Sequence, residues 1–164
     1  MKRTLLVALC ALWSTASFAA NPISADVDTA LTKAAKSLGY RTKFRADNCQ
    51  KDENFVCDVY VDTPTKKNVF KFMAVFPAPN EELSHFTVVL GNDTASTAYG
   101  TTSLSTIETL LSGQKVKVSQ TSKPISDAIA KATASGIAEE LSVAGVRHSV
   151  TVRGGAALIQ VGGR

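Results

Sequence analysis

A strand's side chains alternate between two faces, so a slip of one residue turns every side chain to the wrong side. That rule constrains residues 39–62 of this chain, GYRTKFRADNCQKDENFVCDVYVD. The stretch reads as two strands joined by a polar loop. Tyr40, Thr42, Phe44 and Ala46 share one face of the first, and Arg41, Lys43 and Arg45 share the other. This is the alternation of a half-buried strand, apolar inward and basic outward. On the return strand Phe55, Cys57, Val59 and Val61 face inward, and Asp58, Tyr60 and Asp62 outward. A regular ladder with Cys49 directly across from Cys57 would send Lys43, Arg45 and Asp47 into the core. A disulfide between Cys49 and Cys57 therefore requires a bulge near Asp47–Asn48, or a Cys49 lying beyond the ladder. A bridge closing so short a loop contributes roughly 2.5 kcal/mol in the chain-entropy model. A metal site is the competing use of two thiols. No histidine lies nearby, and two ligands are too few.

The compartment follows from the start of the chain. Met1-Lys2-Arg3 is a short basic segment, and Thr4 to Trp13 is an apolar run too short to span a bilayer. Ser17 and Ala19 supply small residues at the −3 and −1 positions of a cleavage site. Residues 1–19 are thus read as a secretory signal peptide, cut after Ala19, with Ala20 as the second choice. The mature chain, 20–164, is expected in the periplasm or outside the cell, where disulfides persist. Cys10 leaves with the signal. No second apolar run could form a membrane span.

Cleavage also changes the charge. Loss of Lys2 and Arg3 leaves 16 basic residues against 14 acidic ones, a net of +2. The balance implies no general affinity for nucleic acid. About 145 residues remain, enough for one sizeable core or two small ones.

Val27, Leu31, Ala34, Ala35 and Leu38 trace a helix capped by Ser24 or Asp26 and stopped by Gly39. After the cysteine hairpin, Val69 to Phe76 reads as a central strand, apolar on both faces. Ser84 to Gly91 reads as a fourth strand, with Phe86, Val88 and Leu90 inward. Asn92 to Thr102 is a run of small polar residues, expected to be a mobile loop. It is also a candidate boundary between units 20–92 and 103–164. Ser105-Thr-Ile-Glu108 reads as a capping box for a short helix ending at Gly113. Gln114 to Ser119 is expected to be a strand. Lys123-Pro124 is expected to open a long helix running to Gly145, kinked at Gly136.

Arg153-Gly154-Gly155-Ala156 is a two-residue hairpin turn. It pairs Val152 with Ala157, Val150 with Ile159 and His148 with Val161, all on one face. The segment Leu38-Gly39-Tyr40-Arg41 also matches Ala144-Gly145-Val146-Arg147 in pattern, which allows a duplicated α-β-β unit. The expected fold is α+β. It has a mostly antiparallel sheet with one long helix and one or two shorter ones.

Residues able to carry chemistry are few. His85 and His148 are the only histidines. His148 lies on the apolar hairpin face, as a packed core residue would, and His85 opens a strand. No serine sits in a nucleophile elbow, and HExxH and phosphate-loop motifs are absent. No catalytic set, metal site or cofactor is therefore expected; His85 and His148 are the candidates only if the chain is an enzyme. Arg41, Lys43, Arg45, Tyr60 and Tyr99 form the candidate interaction surface, since Arg and aromatic residues dominate interfaces. The loops Asn48–Asn54 and Asn92–Thr102 are the expected contact segments. The expectation is a non-enzymatic envelope binding protein of inhibitor, immunity or assembly-accessory type, whose partner is another envelope or secreted protein. The alternatives are a small periplasmic hydrolase without a recognisable motif and a polyanion-binding envelope module. The hydrolase would need a polar cleft gathering a histidine with carboxylates. The polyanion binder would need an uncompensated basic face.

Overall fold

A computed structural model of the protein describes residues 27–51, 55–76 and 83–162. The signal-peptide reading, and much of the loop between the cysteines, lie outside these residues. Among them the elements run α1 (Val27–Ser37), β1 (Lys43–Lys51), β2 (Phe55–Asp62), β3 (Phe70–Phe76), β4 (His85–Leu90), α2 (Thr94–Ser112), α3 (Val118–Ser135), β5 (Glu139–Val143), β6 (Val146–Arg153) and β7 (Ala156–Val161). The strands form one sheet in the order β1-β2-β3-β4-β7-β6-β5, every neighbouring pair antiparallel. The fold is α+β.

The core lies between one face of this sheet and the helices. Phe44, Val59, Phe72, Phe86, Ile159 and Val150 project from successive strands. Leu31 of α1, Leu104 and Ile107 of α2, and Ile125 and Ala128 of α3 meet them. Phe72 stacks edge-on against both Phe44 and Phe86, at 6.0 and 5.9 Å between centroids.

The cysteine hairpin resolves its parity conflict with a bulge. Asp47 pairs with Asp58 and Gln50 with Val56, so β1 carries an extra residue between Asp47 and Gln50. Phe44 keeps its inward place, and Cys49 bonds Cys57, their Cα atoms 4.0 Å apart. The C-terminal hairpin has the register its turn chemistry requires: Val152 opposite Ala157, Val150 opposite Ile159 and His148 opposite Val161. Gly154 and Gly155 take φ of 56° and 80°. A β-branched residue resists that region, and a Cβ on Gly155 would lie 3.0 Å from Asn92 Nδ2. Gly155→Val is therefore expected to destabilise by about 1 kcal/mol or more, read as a shifted denaturant midpoint at unchanged slope.

The middle of the chain departs from the sequence reading. Residues 94–102 are the first half of α2, not a loop, so α2 crosses the proposed boundary at 92–103. Asp93 caps this helix, its carboxylate accepting from Ser96 N–H at 2.7 Å. Ser105 and Glu108 sit well inside α2 and cap nothing. The hydroxyls of Thr101, Thr102, Ser103 and Thr106 bond back to the carbonyls of Thr97, Ala98, Tyr99 and Thr102, at 2.7–2.9 Å. Buried hydroxyls satisfied inside their own helix let so polar a segment pack against its neighbours.

Residues 114–117 precede α3 and form no strand, although Val116 is buried. The helix begins at Val118, which places Pro124 in its interior. It stops at Gly136, whose N–H reaches Ala132 O with φ 68°, so this glycine ends the helix and does not kink it. Ile137, within the stretch expected to be helical, is 69% exposed. Glu139 to Val143 are β5, and Ala144–Gly145 form a second two-residue turn with φ of 52° and 80°. Gly39 follows a helix while Gly145 joins two strands, so the repeat does not run in the alignment that equates them.

Candidate functional site

The three helices cover one face of the sheet; no described helix covers the other. Side chains of alternate parity line that open face. One row crosses the whole sheet, because Glu140, Ser149, Gln160, Thr87, Met73, Asp58 and Asp47 stand opposite one another in turn. Its middle is partly apolar. Val56, Met73, Val75 and Leu158 are half-buried, and Val89 is 40% exposed.

The charges at the β1–β3 end are largely paired among themselves. Arg45 Nη1 meets Asp47 at 2.8 Å and its Nε meets Asp62 at 3.9 Å. Its guanidinium also lies over the Tyr60 ring, 5.0 Å from the centroid. Lys71 Nζ meets Asp58 at 3.2 Å. The candidate surface residues are therefore not one patch. Arg45 and Tyr60 are in contact, Arg41 and Lys43 are exposed close by in the chain, and Tyr99 lies half-buried on α2, in the helical layer. The basic row is compensated at Arg45.

The opposite end of the open face holds a cleft of about 240 Å³. Ser84 and His85 at the start of β4, Gln160 and Gly162 at the end of β7, Arg147 and Ser149 of β6 and Glu140 of β5 line it. Gly162 lets the two strand ends close together. A Cβ there would sit 2.9 Å from His85 Cα and 3.0 Å from Ser84 O. Ser84 Oγ lies 3.1 Å from His85 Nδ1. Partial burial holds the His85 imidazole below its ordinary value of 6.5, because the charged ring is poorly solvated there. At neutral pH it is an uncharged donor and acceptor.

His148 borders the same cleft but presents nothing to it, being 1% exposed. Its side chain points into the core. Nδ1 donates to Val146 O at 3.0 Å, and Nε2 lies 2.9 Å from Glu108 Oε1. That approach is an ion-pair distance without good hydrogen-bond alignment. The other carboxylate oxygen, Oε2, accepts from the Thr121 hydroxyl. Glu108 is also fully buried, so a β6 ring, an α2 carboxyl and an α3 hydroxyl meet in a dry core. Nε2 and Oε1 thus face each other in the core with no hydrogen-bond partner among the described residues. In this conformation neither side chain can touch a substrate.

Sequence reasoning did not find Glu108, whose capping-box pattern hid it, nor the cleft. The Ser149–Gln160 pairing was readable from the hairpin register. The approach of Ser84, His85 and Glu140 was not, because it depends on β7 inserting between β4 and β6. Among the described residues no cluster of metal-ligating side chains occurs, and no helix is long and apolar enough to cross a membrane. No protein-family model matches this chain, and neither a curated protein nor a solved structure resembles it at a significant level.

Proposed function

We propose that the protein is a secreted, periplasmic, non-enzymatic binding protein that engages another envelope or secreted protein through the helix-free face of its sheet. That uncovered face carries the reading. Its middle is partly apolar and half-exposed, and Arg45 and Lys71 at its β1–β3 end are paired within the molecule. An apolar centre with a polar rim is the anatomy of a protein–protein interface. The signal-like N-terminus and the Cys49–Cys57 bond support the compartment. The ion pairs of Arg45 favour a protein partner over a polyanion.

Val89→Lys places a charge at the centre of the face with little effect on folding, because that side chain is already 40% exposed. A pull-down from envelope extract is expected to recover a partner with the wild type and lose it with this variant. Hydrogen exchange in the recovered complex is expected to show protection on β3, β4 and β7. Retention by Val89→Lys, or protection confined to the helices, overturns the reading.

One observation favours the hydrolase alternative. The cleft gathers Ser84, His85 and Glu140. However, the Ser84–His85 contact joins adjacent residues through Nδ1, and among the described residues no carboxylate lies within ion-pair distance of His85. Among the described residues the group that orients the base of a triad is thus missing. Ester and amide substrates are expected to show no turnover that His85→Ala removes.

A further inference from the structure

The cleft at the β4–β7–β6 corner brings two opposite charges to one space. Arg45 and Lys71 are held by carboxylates, whereas Arg147 and Glu140 have no ion-pair partner among the described residues. Both are exposed, and both line the same cleft. Glu140 stands opposite Ser149 and Arg147 opposite Ser142, so the two charges are diagonal neighbours on adjacent strands. Long side chains at that spacing can meet. Here they stay more than 4.0 Å apart, one positive and one negative group facing a common space.

We propose that this cleft is a two-point site for a small zwitterion, the head group of an α-amino acid, with its carboxylate on Arg147 and its ammonium on Glu140. The guanidinium fork suits a carboxylate, and the Glu140 carboxylate accepts from an ammonium. Ser149 and Gln160, opposite each other in the same row, supply neutral donors and acceptors between the charges. His85, uncharged at neutral pH, adds a ring nitrogen at the wall without tipping the balance of charge. The pairing of signs also sets specificity. A simple anion is repelled by Glu140 and a simple cation by Arg147, so a ligand bearing both charges is favoured over either. The volume of about 240 Å³ lies below the range of drug-sized sites and suits a head group. The site lies on the face assigned above to partner binding and rests on that reading for its biological setting, not for its chemistry.

The test is NMR titration of the mature protein with L-alanine, N-acetyl-L-alanine and L-alaninamide. L-alanine is expected to move the backbone amides of Arg147, Ser149 and Gln160, with a Kd on the order of 1 mM, in keeping with so few ligand atoms. Blocking either end of the ligand is expected to weaken binding about tenfold or more, through one lost charge-assisted contact. Arg147→Gln is expected to abolish the preference for alanine over alaninamide, and Glu140→Gln that over N-acetylalanine. Both substitutions are at exposed positions, so folding is not at stake. Nε-acetyl-L-lysine carries the same head group on a long neutral stem. Binding tighter than alanine marks a head group attached to a larger molecule, and equal binding marks a free amino acid. Equal response to all three alanine derivatives, or no shift at about ten times that Kd, overturns the proposal. Partner capture sensitive to Val89→Lys would survive such a failure, which separates this inference from the function on which it rests.

Discussion

Replacing Glu108 or His148 alone with alanine is expected to destabilise the protein by about 3–5 kcal/mol, the largest single-site effect anticipated in this molecule. The reason is the partner left behind. Both side chains are fully buried and meet at 2.9 Å. Glu108→Ala leaves the His148 Nε2 atom and the Thr121 hydroxyl without their partner; His148→Ala leaves a carboxyl in a dry core and frees Val146 O. Each loss adds a cavity to an unpaired polar group. The triple replacement Glu108→Met/Thr121→Val/His148→Leu keeps the volume while removing the polar cluster, and is expected to recover most of the lost stability. Denaturant unfolding of the four proteins measures this directly. A cost below about 1 kcal/mol for either single variant would show that the cluster is not buried in solution as described.

The cluster joins three elements of the second half of the chain. His148 belongs to β6, Glu108 to α2 and Thr121 to α3, so the contact ties both later helices to the C-terminal part of the sheet. An apolar core could hold these elements together but would tolerate sliding of α2 against α3. A buried pair bonded in one geometry resists such sliding. The triple variant is therefore expected to exchange amide hydrogens faster in α2 and α3 even where its global stability is restored.

The parts of the fold legible in the sequence were those governed by local rules. The period-two pattern of Phe44 to Ala46 and Phe55 to Val61 set the faces of β1 and β2. The mismatch at Cys49 allowed a bulge or a Cys49 beyond the ladder, and the bulge lies between Asp47 and Gln50. Gly154–Gly155 set the last hairpin to the residue. The middle of the chain failed for a physical reason. In α2, serine and threonine hydroxyls satisfy carbonyls of their own helix, and the helix is buried by its neighbours around Gly100, Leu104 and Ile107. Such a segment lacks the one-sided apolar stripe that marks a helix in sequence. In residues 137–144 a short strand between Gly136 and Gly145 also fits a helical spacing of Ile137, Leu141 and Ala144. Strand pairing with β6 prevails there. Of the site, the charge types and the Ser149–Gln160 pairing were readable. The cleft exists because the sheet order brings β7 between β4 and β6, which no local pattern announces.

Reduction of the Cys49–Cys57 disulfide is expected to lower stability by roughly 2.5 kcal/mol, the second-largest effect anticipated here. The bridge spans a separation of 8 residues, and closing so short a loop removes a modest but definite part of the unfolded chain's freedom. Its location adds a second consequence. β1 is an edge strand of the sheet, and its ladder to β2 is broken by the bulge between Asp47 and Gln50. Among the described residues two pairs continue that ladder beyond the bulge, Gln50 with Val56 and Lys51 with Phe55. The disulfide holds the far side of the bulge to a buried position of β2, since Cys57 lies in the core. With the bond open, the end of β1 is expected to lose amide protection first, while β4, β6 and β7 keep theirs. Unfolding in urea with and without reductant measures the global term, and hydrogen exchange on the reduced protein measures the local one. An unchanged midpoint on reduction would mean that the bulged segment holds its geometry without the bond. Uniform loss of protection across the sheet would mean that β1 unfolds together with the whole sheet.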